Sequence, residues 1–269
     1  MTESLDTDSF ARLMVALQPY RADVIVIGGW AHRLSRLHPL AQSVDFQPLG
    51  TQDVDLAIPA NLAPRREDLG KVLVDAGFHE RFVGENRPPV THYQFGEEPG
   101  FYAEFLTPLV GRARAATKTI AGVSAQALRH LDILMIDPWS VVIREPEYRV
   151  GKKSLEIRLT NATSYLAQKI LTLGKRRAQD RAKDVLYIHD TVITFGRSLT
   201  ALERLWTSSV SGSIHSAGVR ALRRASEELF SEVTEVARRA SRIATEAGRP
   251  VSPGDLCLTC RTGLTQIFI

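Results

Sequence analysis

The hydrophobic period of this chain changes once, near residue 158, and that change limits what the chain can fold into. Upstream, short runs rich in β-branched and aromatic residues predict strands at 23–27, 54–58, 78–83, 91–95, 101–106, 141–144 and 154–159. Among them, Asp8–Leu17 and Arg66–Ala76 carry apolar residues at helical spacing. Downstream, Tyr165, Leu166, Lys169, Ile170 and Leu173 share one helical face, as do Val185, Leu186 and Ile188. The helical pattern continues through 199–206 and a long segment, 219–247. An α/β (α+β) domain over residues 1–158 followed by an all-helical C-terminal domain over 159–269 is therefore expected.

Composition narrows the class. With 44% hydrophobic and 24% charged residues, the 269-residue chain reads as globular and not as disordered or fibrous. No window approaches a membrane span, and Glu3, Asp6 and Asp8 make the first ten residues unlike a signal peptide. Two cysteines, Cys257 and Cys260, make no disulfide framework. One Cys-x-x-Cys without a nearby histidine does not complete a zinc site. The expectation is a soluble cytoplasmic protein with no membrane partner. Charge is divided unevenly: residues 1–150 hold 15 Lys+Arg against 19 Asp+Glu, and residues 151–269 hold 19 against 11. An acidic half before a basic half suits a metal site beside a surface for polyanions, and suits equally a solvated helical surface rich in Arg.

The residues that point to chemistry lie in the first half. The run 23–27 leads directly into Gly28-Gly29, a strand-to-helix turn; Asp53-Val54-Asp55 follows on the next strand, and Glu104 sits on a later one. Side chains alternate along a strand, so Asp53 and Asp55 share a face while Val54, Leu56 and Ile58 take the other. Paired carboxylates repel unless protons or cations neutralise them. Three of them converging, if the strand of Glu104 lies beside that of the aspartates, would suit magnesium ions that clamp a phosphoryl group between attacking and leaving oxygens. Asp132 and Asp137 are alternatives to Glu104 as third ligand. Gly28-Gly29 matches neither a Gly-x-Gly-x-x-Gly fingerprint nor a Walker loop. Without Cβ atoms it would still let backbone N–H groups approach phosphates.

A second constellation is helical. Lys169 to Tyr187 holds six cations, among them Lys169, Arg176, Arg181 and Lys183, and two carboxylates, Asp180 and Asp184. Lys169 falls on an apolar face and wants an anion, either a nucleotide phosphate or, by snorkelling, water. Asp184 is placed to orient Lys169 or a substrate hydroxyl. The seven histidines show no metal spacing.

In this order, Gly28-Gly29-Trp30-Ala31, Thr51-Gln52-Asp53-Val54-Asp55, Glu104 and a late basic helix with Lys169 and Arg181-Ala182-Lys183-Asp184, the chain resembles the polymerase-β-like nucleotidyltransferase superfamily. It looks most like the minimal branch that includes AbiEii-type (type IV) and mycobacterial nucleotidyltransferase toxins. The resemblance spans most of residues 23–190. It implies a mixed β-sheet flanked by helices, with an all-helical C-terminal part, and a pyrophosphate-releasing enzyme that moves NMP from an NTP to an acceptor hydroxyl. It further implies two Mg2+ ions held by Asp53, Asp55 and Glu104, a triphosphate loop shaped by Gly28 and Gly29, and phosphate contacts from Lys169 and Arg181. Asp184 would support the catalytic set of Asp53, Asp55 and Lys169. The implied acceptor is tRNA, in a toxin–antitoxin setting with a cognate antitoxin. Two other readings are an aminoglycoside-like small molecule or protein side chain as acceptor, and a catalytically silent binding protein. The sequence departs from the superfamily at Trp30, where a small polar residue often helps bind phosphate, and in having Glu as the third acid.

Overall fold

A computed structural model describes residues 2–84, 89–96, 100–109, 111, 117–151 and 154–269. The chain divides into two compact units, Met1–Leu37 with Gly50–Thr160, and His38–Leu49 with Asn161–Ile269.

The first unit runs α1 (Thr2–Ala16), β1 (Ile25–Ile27), α2 (Gly28–Leu34), β2 (Asp53–Ala57), α3 (Leu69–Asp75), β3 (His79–Val83), β4 (Val90–Phe95), β5 (Phe101–Pro108), β6 (Thr117–Ile120), β7 (Val123–Leu128), α4 (Leu131–Leu134), β8 (Trp139–Arg144) and β9 (Ser154–Leu159). Among the described residues the strands form one mixed sheet ordered β3-β4-β5-β2-β1-β9-β8, with β7 pairing to the end of β5 and β6 to β7. β5 runs parallel to β2 and antiparallel to β4, while β1 is antiparallel to β2 and parallel to β9.

One face of this sheet makes the main core. Val26, Val54, Leu56, Ala103 and Phe105 pack there with Phe10 and Leu13 of α1, Leu17 just after it, Trp30 and Leu34 of α2, and Leu69 and Leu73 of α3. Trp30 is fully buried and stacked on Phe10 with ring centroids 4.2 Å apart. Its place in the motif is thus taken by a core side chain. On the other face Ile25, Ile27, Ala57 and Leu106 are covered by Leu131 and Leu134 of α4. Burying a large apolar side chain contributes about 1.5–3 kcal/mol, and a one-residue slip would turn every such residue outward. The core therefore sets the register that also positions the polar residues of the second face.

Local signals explain the element boundaries. The Asp68 side chain caps α3 by accepting from the Lys71 N–H at 2.7 Å, and Gly77 ends the turn with φ +89°. β7 carries little sequence signal, because Ala125 and Ala127 fill inward positions where β-branched residues are usual. The β6–β7 turn, Ala121-Gly122, has positive φ at both residues, as a tight two-residue hairpin demands.

The second unit contains α5 (Ala162–Leu173), α6 (Ala178–Thr194), α7 (Leu199–Leu205) continuing through a π turn (Trp206–Val210) to α8 (Ser211–Ser213), then α9 (Ser216–Glu228), α10 (Glu235–Glu246) and α11 (Pro253–Phe268). α6 packs on α5, α10 and α11, and α11 packs on α7 and α9. The segment His38–Leu49 belongs here: Gln42 donates from its backbone and side chain to the carbonyls of Thr194 and Ile193, satisfying the end of α6. The long segment 219–247, expected to be helical, forms two helices. Thr234 ends the intervening turn by accepting from the Ala237 N–H, a side-chain cap that starts a new helix. Among the described residues no helix is long and apolar enough to cross a membrane.

Candidate functional site

Residues of the first unit converge on the sheet face opposite the main core. The parallel register sets Asp55 beside Glu104 and Asp53 beside Tyr102, so that β2 and β5 present all four side chains on one surface. Each is half-buried. Thr51 donates its hydroxyl to Asp53. On β4, His92 lies across from Glu104; its Nε2 is 3.3 Å from Glu104 Oε2, and its ring stacks on Tyr102 with centroids 4.3 Å apart. Burial, and then the charges of Asp53, Glu104 and Asp55, push the Tyr102 phenol up to about 12. Three carboxylates are thus electrostatically felt at one hydroxyl.

The turn after β1 closes on this cluster. Ile27 pairs with Asp55, and Gly28 follows with φ +63°. A Cβ at Gly28 would overlap the Asp55 carboxylate and lie 2.9 Å from its Cγ. Glycine is therefore required twice here, for the left-handed backbone and for the space that Asp55 occupies. Gly29, next in α2, is buried.

The donor set of Asp53, Asp55 and Glu104 is all carboxylate oxygen, which suits a hard divalent cation. Among the described residues no group of three or more His, Cys, Asp or Glu side chains stands ready to enclose an ion. A pair of carboxylates that leaves further positions to phosphate and water fits the known reluctance of magnesium to be caged by protein alone. Asp132 and Asp137, the alternatives for the third acid, are both exposed.

The helical unit joins Lys169 to Asp184. Lys169 Nζ lies 2.5 Å from Asp184 Oδ1, both side chains being about 5% exposed, and sits 5.4 and 5.0 Å from the ring centres of Tyr165 and Tyr187. Arg176, 45% exposed, brings its Nε to 3.1 Å from the other Asp184 oxygen. Arg181 does separate work: it donates to the carbonyls of Arg176 and Gly174 and so ties the turn between α5 and α6. Cys257 and Cys260 are free and buried, and burial pushes both thiols up, which makes them poor nucleophiles.

Sequence reasoning gave no role to His92 or Tyr102, and placed Arg176 in the basic cluster without pairing it to Asp184. Strand alternation alone would place Tyr102 on the face of Glu104. Nothing in the sequence announces His92, because only the pairing of β4 with β5 brings it there.

A family described as "Nucleotidyltransferase" matches residues 6–210, about three quarters of the chain. No curated protein matches it. Among solved structures, a crystal structure of an antigenic nucleotidyltransferase-like protein from Paracoccidioides brasiliensis is similar at 15% identity, with a TM-score of 0.34, over 70% of this chain and 75% of that one.

Proposed function

We propose that the chain, which belongs to the nucleotidyltransferase family matched over residues 6–210, transfers NMP from an NTP to an acceptor hydroxyl, most simply that of a tRNA. The observation that carries this reading is the β2–β5 register, which sets Asp53 and Asp55 on one face next to Glu104 with Gly28 closed against Asp55. In this role Asp53 and Asp55 hold Mg2+, with Glu104 as the third carboxylate once it turns from His92. The bound ions supply charge neutralisation for the phosphoryl oxygens and an acidified acceptor hydroxyl.

The protein's own residues do the rest. Thr51 holds the Asp53 carboxylate in one orientation through its hydroxyl. His92 holds the Glu104 carboxylate until it turns to the ion. Gly28 and Gly29 leave backbone N–H groups uncovered for the triphosphate. Asp184 orients Lys169 and Arg176 as phosphate contacts, Arg176 being the more exposed of the two, and Arg181 holds the turn that carries Arg176. The excess of Lys and Arg after residue 150 supports a polyanionic acceptor over an aminoglycoside. A toxin role follows if tRNA so modified stops translation, and a cognate antitoxin would then be its partner.

The test is transfer from each α-labelled NTP to total tRNA with Mg2+, comparing wild type with Asp53→Ala/Asp55→Ala. Label on tRNA with wild type alone supports the reading. If NTP binds but tRNA stays unlabelled, the acceptor assignment fails. If neither occurs, the silent binding-protein reading replaces it.

A further inference from the structure

The turn between α5 and α6 carries three consecutive cations, Lys175, Arg176 and Arg177, all exposed. Its backbone is held at both ends. The Lys175 and Arg176 N–H groups donate to the carbonyls of Thr172 and Leu173 as α5 closes, and the Arg177 carbonyl accepts from the Asp180 and Arg181 N–H groups as α6 opens. Arg181 then folds back across the turn, Nε donating to the Arg176 carbonyl at 2.9 Å and Nη2 to that of Gly174 at 3.1 Å. The buried Asp184 takes the Arg176 Nε at 3.1 Å and is already engaged by Lys169. Lys175 and Arg177 form no ion pair among the described residues, with Asp180 or with any other acid. Arg177 also stands at the N-cap of α6 without a side-chain cap hydrogen bond, at the helix end where a cation is disfavoured and Ser, Thr, Asp or Asn would stabilise. A rigid turn that sets like charges side by side is not explained by stability.

We propose that this turn docks the sugar–phosphate backbone of RNA, the acceptor in the reading above, with Lys175 and Arg177 each neutralising one phosphate. The inference rests on that reading and names the residues that would hold its acceptor. Lys175 and Arg177 lie two positions apart, at most about 7 Å between Cα atoms, on an exposed surface. Charges spread in this way suit successive phosphates of a chain, whereas a single triphosphate is matched by donors that converge. Exposed cations on long stems carry no base information, so the contact positions the acceptor without choosing its sequence. Arg181 serves by keeping the turn in one shape, which lowers the ordering cost of binding.

The test is equilibrium binding of total tRNA to the full chain, without NTP, across about 0.05–0.2 M salt. In a plot of log affinity against log salt concentration, each phosphate contact contributes a slope of about −0.7 on a single strand and about −0.9 on a duplex. Lys175→Gln/Arg177→Gln should make that slope shallower by about 1.4 to 1.8 and weaken binding at about 0.1 M salt by tenfold or more. Its unfolding temperature and its binding of NTP with Mg2+ should not change. Lys175→Arg/Arg177→Lys keeps both charges and should bind tRNA as wild type does. Absence of tRNA binding by wild type, or an unchanged slope in the folded Gln variant, would overturn the proposal. So would an equal loss of NTP binding, which assigns the two cations to the triphosphate. Label transfer run alongside separates this inference from the acceptor reading. If wild type labels tRNA and the Gln variant binds it equally well, the acceptor stands and the docking surface falls. If tRNA binds through these cations but is never labelled, the docking surface stands and the acceptor falls.

Discussion

Carboxylates are handled in opposite ways in the two units. On the sheet of the first unit, Asp53, Asp55 and Glu104 are half-buried and crowded together with a phenol, a threonine hydroxyl and an imidazole. In the helical unit Asp184 and Asp190 are buried almost completely, Asp184 closed by Lys169 and Arg176, and Asp190 by Arg249 with the His189 ring 3.1 Å from its other oxygen. The first arrangement leaves its carboxylates part-exposed and open to a cation; the second has its countercharges built in. Removing an acid should therefore harm chemistry in one unit and folding in the other.

The largest expected effect breaks the comparison at the sheet. Asp55→Asn should cut nucleotidyl transfer by about a thousandfold, roughly 4 kcal/mol in the barrier, while the unfolding temperature stays level. A fall in stability equal to that in activity would show that Asp55 is structural. Next, Asp190→Ala strips the buried Arg249 of its partner and should cost about 3–5 kcal/mol, read as a lower midpoint in urea unfolding. Were Asp190→Ala as stable as wild type, the idea of built-in countercharge would fail.

Smaller effects sharpen the picture. Gly28→Ala must adopt φ +63° and push Asp55 aside, so a loss of about 1–3 kcal/mol in stability and a larger loss in transfer are expected from chemical unfolding and kinetics. The smallest concerns Tyr102. Its phenol, raised to about 12, holds its proton more firmly in the folded state, so the associated stability is complete below pH 10 and is lost as pH rises through 12. In an Asp53→Asn/Asp55→Asn variant the phenol should titrate lower by ultraviolet absorbance, using Tyr102→Phe to identify the signal. It should not reach 10, because burial is the larger cause.

How much of this was legible beforehand depends on distance along the chain. The strands at 101–106 and 154–159 and the helical spacing over 165–173 and 185–188 were legible, and fall in β5, β9, α5 and α6, since strand and helix periods are local properties. The division of 219–247 at Thr234 went unread because one cap outweighs a continuous amphipathic pattern. The β6–β7 hairpin went unread because β6 is only four residues long and the inward positions of β7 are alanines, which carry little strand preference.

Of the candidate site, the sequence alone determined that Asp53 and Asp55 share a face, that Gly28-Gly29 forms the turn before them, and that Lys169 lies on a buried helical face. Each of these depends only on spacing within one element. Tertiary structure alone decided that Glu104 stands beside Asp55, that His92 engages Glu104, and that Asp184 neutralises Lys169 across 15 residues. It also decided that Asp190 meets an arginine 59 residues away. Register and helix packing are chosen by burying the apolar faces, and the polar groups are carried to wherever that choice leaves them.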